Sequence, residues 1–378
     1  MPSRRTFLAG LGGLVAAGAV GGTVFAFTRT PVAALAPWAA PGTADDPRVR
    51  ALEWAVLAPN PHNRQPWLVA LENDDSALIY CDLDRRLPMT DPFDRQITIG
   101  LGCFAELFAL AAGADGFAVT VTPFPEGEPA NDWRLDERPV ARLTLARSGV
   151  AADPLFAAVP DRRSNKEPYD PARPVPAAAL QPVAAAAKQS DFAFTVDPER
   201  TAVLRDLAQR AWDIEAITPR THQESVDLMR IGKSEIEANP DGIDLGGAML
   251  ETLNMVGVLT RETLADPESE AFAQGKTMYR ELFDTTQGFI WQSTPGNSRA
   301  EQLVAGRDWL RINLALTLAG ISVQPLSQPL QEYPEMAALY REAHETLGAD
   351  GTVQMLARIG YGPDVPPSPR WPARAKLM

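Results

Sequence analysis

One order of elements recurs along this chain: a long helix with an apolar face, a glycine, a short strand, then a proline. The first copy runs from Cys103 to Pro123. Its helix is predicted from about Arg95 to Ala112, broken over Gly113 to Gly116, with a strand from Phe117 to Val121. The second runs from Asp308 to Pro325. Its helix spans Arg299 to Leu318 with Leu303, Leu310, Leu314 and Leu318 on one face, followed by Gly320 and the strand Ile321-Ser322-Val323. Helical periodicity alternating with short strand runs predicts an α+β fold. Two related half-domains would produce such a repeat. Two unrelated helix–glycine–strand units, common in α+β proteins, would produce it as well. The length, 378 residues, suits two compact domains.

The remaining elements are predicted locally. Asp45-Asp46-Pro47 reads as a cap and a proline in the first turn of a helix from about Arg48 to Leu57. Leu68 to Leu71 and Ala77 to Cys81 read as a hairpin turning at Asn73-Asp74-Asp75, and Val140 to Leu145 as a further strand. From about Leu204 to Tyr279 the pattern is helical, with Trp212, Leu228, Met229, Ile236 and Leu253 spaced for burial and Asn239-Pro240-Asp241-Gly242 as a turn. It reads as an insertion covering the middle. The division is thus 1–40 as leader, 45–150 as first half, and 151–378 as second half with the insertion at about 204–279.

The net charge of −13 argues against nucleic acid or an anionic membrane surface as partner, since both require neutralisation by Lys and Arg. Two cysteines, Cys81 and Cys103, make no disulfide framework. They read as buried thiols, with one bridge as the alternative. His62, His222 and His344 do not fall at metal-ligand spacing, and no structural zinc site is expected.

The chain opens Ser3-Arg4-Arg5-Thr6-Phe7-Leu8, followed by an Ala- and Gly-rich apolar run to Phe27. Twin arginines before such a run are the address of twin-arginine export, which places the protein in the periplasm or on the outer face of the cytoplasmic membrane. That route carries folded proteins, so it favours a cofactor loaded before export. Ala34-Leu35-Ala36 offers a cleavage site, but Pro37 follows it. A run of about 20 residues is long enough to span a bilayer, and an uncleaved anchor is the alternative. Residues 1 to about 40 are expected to stand outside the fold.

Three clusters could carry chemistry. The first is Ala58-Pro59-Asn60-Pro61-His62-Asn63-Arg64-Gln65-Pro66-Trp67, a polar loop able to offer both donors and acceptors to a ligand edge. The second, Asp161-Arg162-Arg163-Ser164-Asn165-Lys166, gathers two guanidiniums, a hydroxyl and an ammonium into an anion site. The third is Leu356-Ala357-Arg358-Ile359-Gly360-Tyr361-Gly362-Pro363, with Arg370 beyond it. There Gly360 permits close backbone approach.

All three resemble the nitroreductase superfamily. The first resembles its Pro-Ser-x-x-Asn-x-Gln-Pro-Trp loop, the second its Arg-Arg-Ser-x-Arg phosphate grip, the third its closing Gly-Tyr-Pro strand and downstream basic residue. The resemblance implies a bound flavin mononucleotide (FMN). Pro59, Asn60 and Pro61 would lie along the ring, and Asn63 at its polar edge. Arg162, Arg163, Ser164 and Lys166 would grip the phosphate. Gly360 would stand close by, and Arg370 would complete the phosphate site with Arg374 as its rival. Gln65 and Trp67 are read as packing residues. Asn60 and Pro61 replace the family's usual small hydroxyl residues. In ordinary nitroreductases the phosphate motif precedes the loop. Here the order is reversed and neither has a second copy. This resembles the Acg-like branch, two halves fused as an intramolecular pseudo-dimer with one flavin site. Gly306, Arg307, Trp309 and Gln324 to Pro329 also resemble that branch, lining the ring's other face or merely packing.

The resemblance implies an FMN-dependent oxidoreductase passing hydride or electrons to a small-molecule quinone, nitro or similar acceptor. No side chain is expected to be catalytic in itself, since the flavin carries the chemistry. A flavin-sequestering protein is the alternative, and a flavin-free interaction module a third reading. The expected partners are the acceptor and the twin-arginine machinery. The expected state is a monomer or weak oligomer, with an anchor at the N-terminus if the leader is kept.

Overall fold

A computed structural model describes residues 28–39, 41–149 and 151–378; the twin-arginine motif and its apolar run lie outside the described residues. In the first half, helix α1 (Pro47–Ala55) starts on Asp46, whose carboxylate accepts from Arg48 N, with Pro47 at the first helical position. Strands β1 (Trp67–Glu72) and β2 (Ser76–Cys81) form the predicted hairpin. Helix α2 (Arg95–Ala114) leads to β3 (Phe117–Pro123), and β4 (Ala141–Arg147) closes an antiparallel sheet of order β1-β2-β4-β3.

The second half opens with β5 (Asp191–Thr195). The insertion follows. It consists of α3 (Pro198–Ile217), α4 (Pro219–Asp227), β6 (Met229–Ile231), α5 (Gly232–Ala238), β7 (Ile243–Leu245), α6 (Ala248–Met255), α7 (Arg261–Ala265) and α8 (Glu270–Asp284). Then come β8 (Gly288–Thr294), α9 (Arg299–Leu318), β9 (Ser322–Pro325), α10 (Ala337–Leu347) and β10 (Thr352–Gly360), giving a second sheet of order β5-β8-β10-β9. In both sheets the first strand pairs with the second, the second with the fourth, and the fourth with the third. In both, a long helix joins the second strand to the third. Gly116 and Gly320, both with positive φ (80° and 65°), follow the ends of these helices. The architecture is therefore α+β, two like-ordered halves in one chain. The insertion is wider than the sequence pattern suggested, and it contains a two-stranded parallel sheet, β6–β7, that the pattern did not show.

Helices α2 and α9 form the seam between the halves. They cross at Gly102 and Gly306: a Cβ on either would come within 2.9 Å of the other's Cα, and would also strike a backbone carbonyl, Leu303 O or Ile99 O. Only glycine allows this approach. One core runs across the seam, joining Leu52, Trp67, Phe104 and Phe108 to Trp309, Leu310, Leu314 and Ile359. Helix α2 is apolar and long enough to cross a membrane by composition, but most of it is enclosed in this core. A second cluster ties the insertion's α3 and α8 to β10 and α10 through Leu204, Leu207, Phe283, Tyr333 and Leu356. Cys81 and Cys103 are free, buried thiols.

The leader expectation needs one correction. Residues 31–38 are part of the fold: Ala34 is buried, its carbonyl accepts from Arg370 N at 2.8 Å, and Trp38 Nε1 donates to Ser368 O at 2.8 Å. Apolar and aromatic side chains at Ala34 and Trp38 supply the contacts that a signal sequence would not need.

Candidate functional site

Between α1 and β1 the loop 59–66 turns sharply. His62, Asn63 and Gln65 all have positive φ (47°, 51° and 52°). Such backbone costs of order 1–3 kcal/mol per residue unless its surroundings impose it. Here they do. Asn60 Oδ1 accepts from Gln65 N at 2.7 Å and Asn60 Nδ2 donates to Ala58 O at 3.1 Å. The fully buried Gln65 donates to Pro240 O at 2.6 Å and accepts from Trp371 N at 2.9 Å. The buried Lys376 ammonium, pushed down to about 7 chiefly by burial and next by Arg85, donates to Gln65 O at 2.8 Å. Pro61 and Asn60 rest on α2 where Gly100 leaves room: a Cβ there would meet them at 3.1 and 3.2 Å. The insertion clamps the outside. Gly242 N donates to Asn63 O at 3.3 Å. Burial would raise the Asp241 carboxylate, but Arg85, Arg230 and Arg64 outweigh it and hold it below the ordinary range.

This engagement corrects two expectations. Asn63 Oδ1 accepts from Arg370 and its Nδ2 donates to Pro369 O at 3.0 Å, so both ends of its amide are engaged within the chain and it orients Arg370. Asn60 likewise uses its amide to brace the loop. Pro59 is buried beneath it and Pro61 is half-buried.

Two arginines meet just past the end of α1, and a third, Arg163, lies beside them. Arg162 Nη2 donates to Leu57 O at 3.2 Å; Arg370 Nη2 donates to the same carbonyl at 3.4 Å and to Ala58 O at 3.2 Å. Arg163 donates to Val365 O at 3.3 Å and, at 2.8 Å, to Pro160 O and Arg162 O. Arg162 and Arg370 are 4% and 3% exposed, and among the described residues none of the three forms an ion pair with a carboxylate. Arg162 Nη1 and Arg370 Nε are buried without a hydrogen-bond partner. Burial first, and then the neighbouring guanidinium charges, lowers Arg162 to about 10 and Arg370 well below its ordinary value. Buried cations without counter-charge are costly, so this cluster could hold an anion. Ser164 is half-buried with no hydrogen bond among the described residues. Arg374, the rival to Arg370, is exposed and outside the cluster.

Lys166 has accessible surface, yet desolvation lowers its ammonium against the opposing Asp244 charge. Desolvation in turn raises Asp244, countered by Gly246 N and Lys166. His62 is held down to about 4, first by burial and then by Lys166 and Arg64, and its Nδ1 has no partner. The imidazole is therefore neutral across the physiological range.

Gly360 stands apart. A Cβ there would strike the Tyr169 ring at 2.4–2.8 Å, so the close approach it permits is that of Tyr169. The α9 residues pack rather than line the site: Gly306 lies in the helix crossing, Arg307 pairs with Glu106 at 2.8 Å, and Trp309 is core. Sequence reasoning missed Arg358. It is fully buried, 3.9 Å over the Tyr169 ring, and it donates to Gln324 Oε1, Leu282 O and Glu167 O. It fastens the arginine-bearing segment to β9 and α8. A basic residue inside an apolar strand was the available signal.

No protein-family model matches the chain. It is similar to Rv3131 of Mycobacterium tuberculosis, named as a candidate NAD(P)H nitroreductase, at 26% identity over 337 residues, 84% of this chain and 87% of that one. It is similar to acg of the same organism, named likewise, at 24% identity over 334 residues, 86% and 92% of the two chains. A solved structure, the FMN-dependent nitroreductase NfnB from Mycobacterium smegmatis in complex with NADPH, aligns with 54% of this chain and 85% of its own at 18% identity. Its TM-score of 0.32 is too low to carry an argument.

Proposed function

We propose that the chain binds one FMN and acts as a nitroreductase-type oxidoreductase toward a quinone, nitro or similar acceptor. The observation that carries this reading is the trio Arg162, Arg163 and Arg370, which forms no ion pair with a carboxylate among the described residues and leaves two buried donors unpartnered. Those donors fit a phosphate monoester, which offers several acceptor oxygens and close to two negative charges. The relatives named as nitroreductases support the same class. When bound, FMN would supply two-electron redox chemistry between a reductant and the acceptor. The chain's own residues hold and shape. The arginines and the Ser164 hydroxyl would hold the phosphate. The braced loop 59–66 is a rigid wall, and the exposed Lys166 places a positive charge near its His62. His62, neutral, contributes a polar edge rather than an acid.

The two like-ordered halves support a fused pseudo-dimer, with the site at the seam. The twin arginines support export in the folded state to the periplasm or the outer membrane face, with the apolar run as leader or anchor. A second reading, retention of flavin without efficient turnover, is favoured by one observation: the insertion's turn at Pro240–Gly242 is bonded directly to the candidate loop. The test is turnover. Protein loaded with FMN is reduced with an artificial donor without oxygen, then mixed with a quinone or nitroaromatic. Repeated reoxidation over many cycles supports the enzyme. A reduced flavin that acceptors cannot reoxidise contradicts it and leaves the storage reading.

A further inference from the structure

Trp38 lies upstream of every motif that pointed to the site, in a segment that sequence alone assigns to the leader. In the fold its ring faces two of the three arginines: the guanidinium carbon of Arg163 is 5.0 Å from the ring centroid and that of Arg370 is 5.6 Å. Its Nε1 is fixed by Ser368 O at 2.8 Å, and four residues upstream Ala34 O holds the backbone N of Arg370 at 2.8 Å. One indole therefore meets two like-charged groups, neither ion-paired with a carboxylate among the described residues, and its segment also holds the backbone that carries one of them. An aromatic face attracts a guanidinium most strongly where water is excluded. Arg370 is 3% exposed, so the condition is met there, while Arg163 is half-buried.

We propose that Trp38 is a positioning residue for the anion site: it holds Arg163 and Arg370 side by side, poised for a phosphate, and residues 31–38 belong to the binding machinery. This rests on reading the arginine cluster as a phosphate site. The bland reading is that Trp38 only packs, in which case any large apolar side chain would replace it.

The test uses the full chain with Trp38→Leu, Trp38→Phe and Trp38→Tyr. The dissociation constants of FMN and of riboflavin, which lacks the phosphate, are measured by flavin fluorescence. Trp38→Leu weakens FMN about tenfold, as loss of a desolvated cation–π contact implies, and leaves riboflavin unchanged. Phe and Tyr, which keep an aromatic face, recover most of the difference. The proposal is overturned if Trp38→Leu leaves FMN binding unchanged, if FMN and riboflavin weaken equally, or if Leu serves as well as Phe. Should the unaltered chain bind FMN no better than riboflavin, the phosphate-site reading itself fails, a result distinct from any difference among the variants.

Discussion

Arg162 and Arg370, more than two hundred positions apart in the chain, donate to one carbonyl oxygen, that of Leu57, at 3.2 and 3.4 Å, and neither meets a carboxylate among the described residues. Two buried guanidiniums on one acceptor repel each other. The geometry is held by the end of α1 and, for Arg370, by Asn63 and Trp38, and it leaves Arg162 Nη1 and Arg370 Nε buried without a hydrogen-bond partner.

Replacing either arginine separates binding from folding. Arg162→Gln or Arg370→Gln is expected to weaken FMN by about 10- to 100-fold, the worth of a hydrogen bond to a charged group. The ligand-free protein should lose no more than about 1 kcal/mol, because relief of an uncompensated buried charge offsets the lost carbonyl bonds. Denaturant midpoints and FMN titrations on the same samples check this. Large destabilisation with unchanged affinity would make the arginines structural.

Gly306→Ala tests the seam. Its Cβ would come within 2.9 Å of Gly102 Cα and would strike Ile99 O, both backbone. The helices must part, at a cost of about 3 kcal/mol or more. A thermal midpoint lower by several degrees is expected, and an unchanged midpoint would deny the close crossing.

Glu215 is buried and accepts from Gln331 Nε2 at 2.6 Å; burial pushes its carboxyl up to about 7 from an ordinary 4.5. Between those values the folded state binds the proton more than the unfolded chain does, so stability falls as pH rises through that window. Above it the full penalty of a buried charge persists. Glu215→Gln is therefore expected to flatten the profile between those pH values and to raise stability at pH 8 by roughly 1–3 kcal/mol. Urea unfolding at pH 5 and pH 8 decides; equal losses at both pH values would contradict it.

On the proposed export route, residues 31–38 should be retained. Cutting after Ala36 would remove the buried Ala34 and leave Trp38 near a free end. Intact mass of the protein recovered from the envelope is expected to retain them. A mass starting at Pro37 would show that the folded body does without the segment.

Much of this was legible because its causes are local. The Asp46–Pro47 start of α1, the hairpin at Asn73 and the α9 span follow from caps, turns and periodicity. The Arg162–Arg163 and Arg370 positions were visible as basic residues in quoted motifs. What was not legible depends on distant partners. Asn63 reads as a ligand contact until Arg370 and Pro369 take both ends of its amide. Gly360 reads as open space until Tyr169 fills it. Gly306 reads equally as ring lining or packing until α2 crosses α9 there, against Gly102. Trp38 was hidden because its neighbours in sequence look like a leader, while its neighbours in space are Arg163, Ser368 and Arg370.

The most direct test of the account is the visible spectrum of the purified folded protein, with any released chromophore identified by chromatography and the colourless fraction titrated with FMN. The account predicts FMN at about one per chain, lost on Arg162→Gln combined with Arg370→Gln. A colourless protein that also refuses added FMN would contradict it.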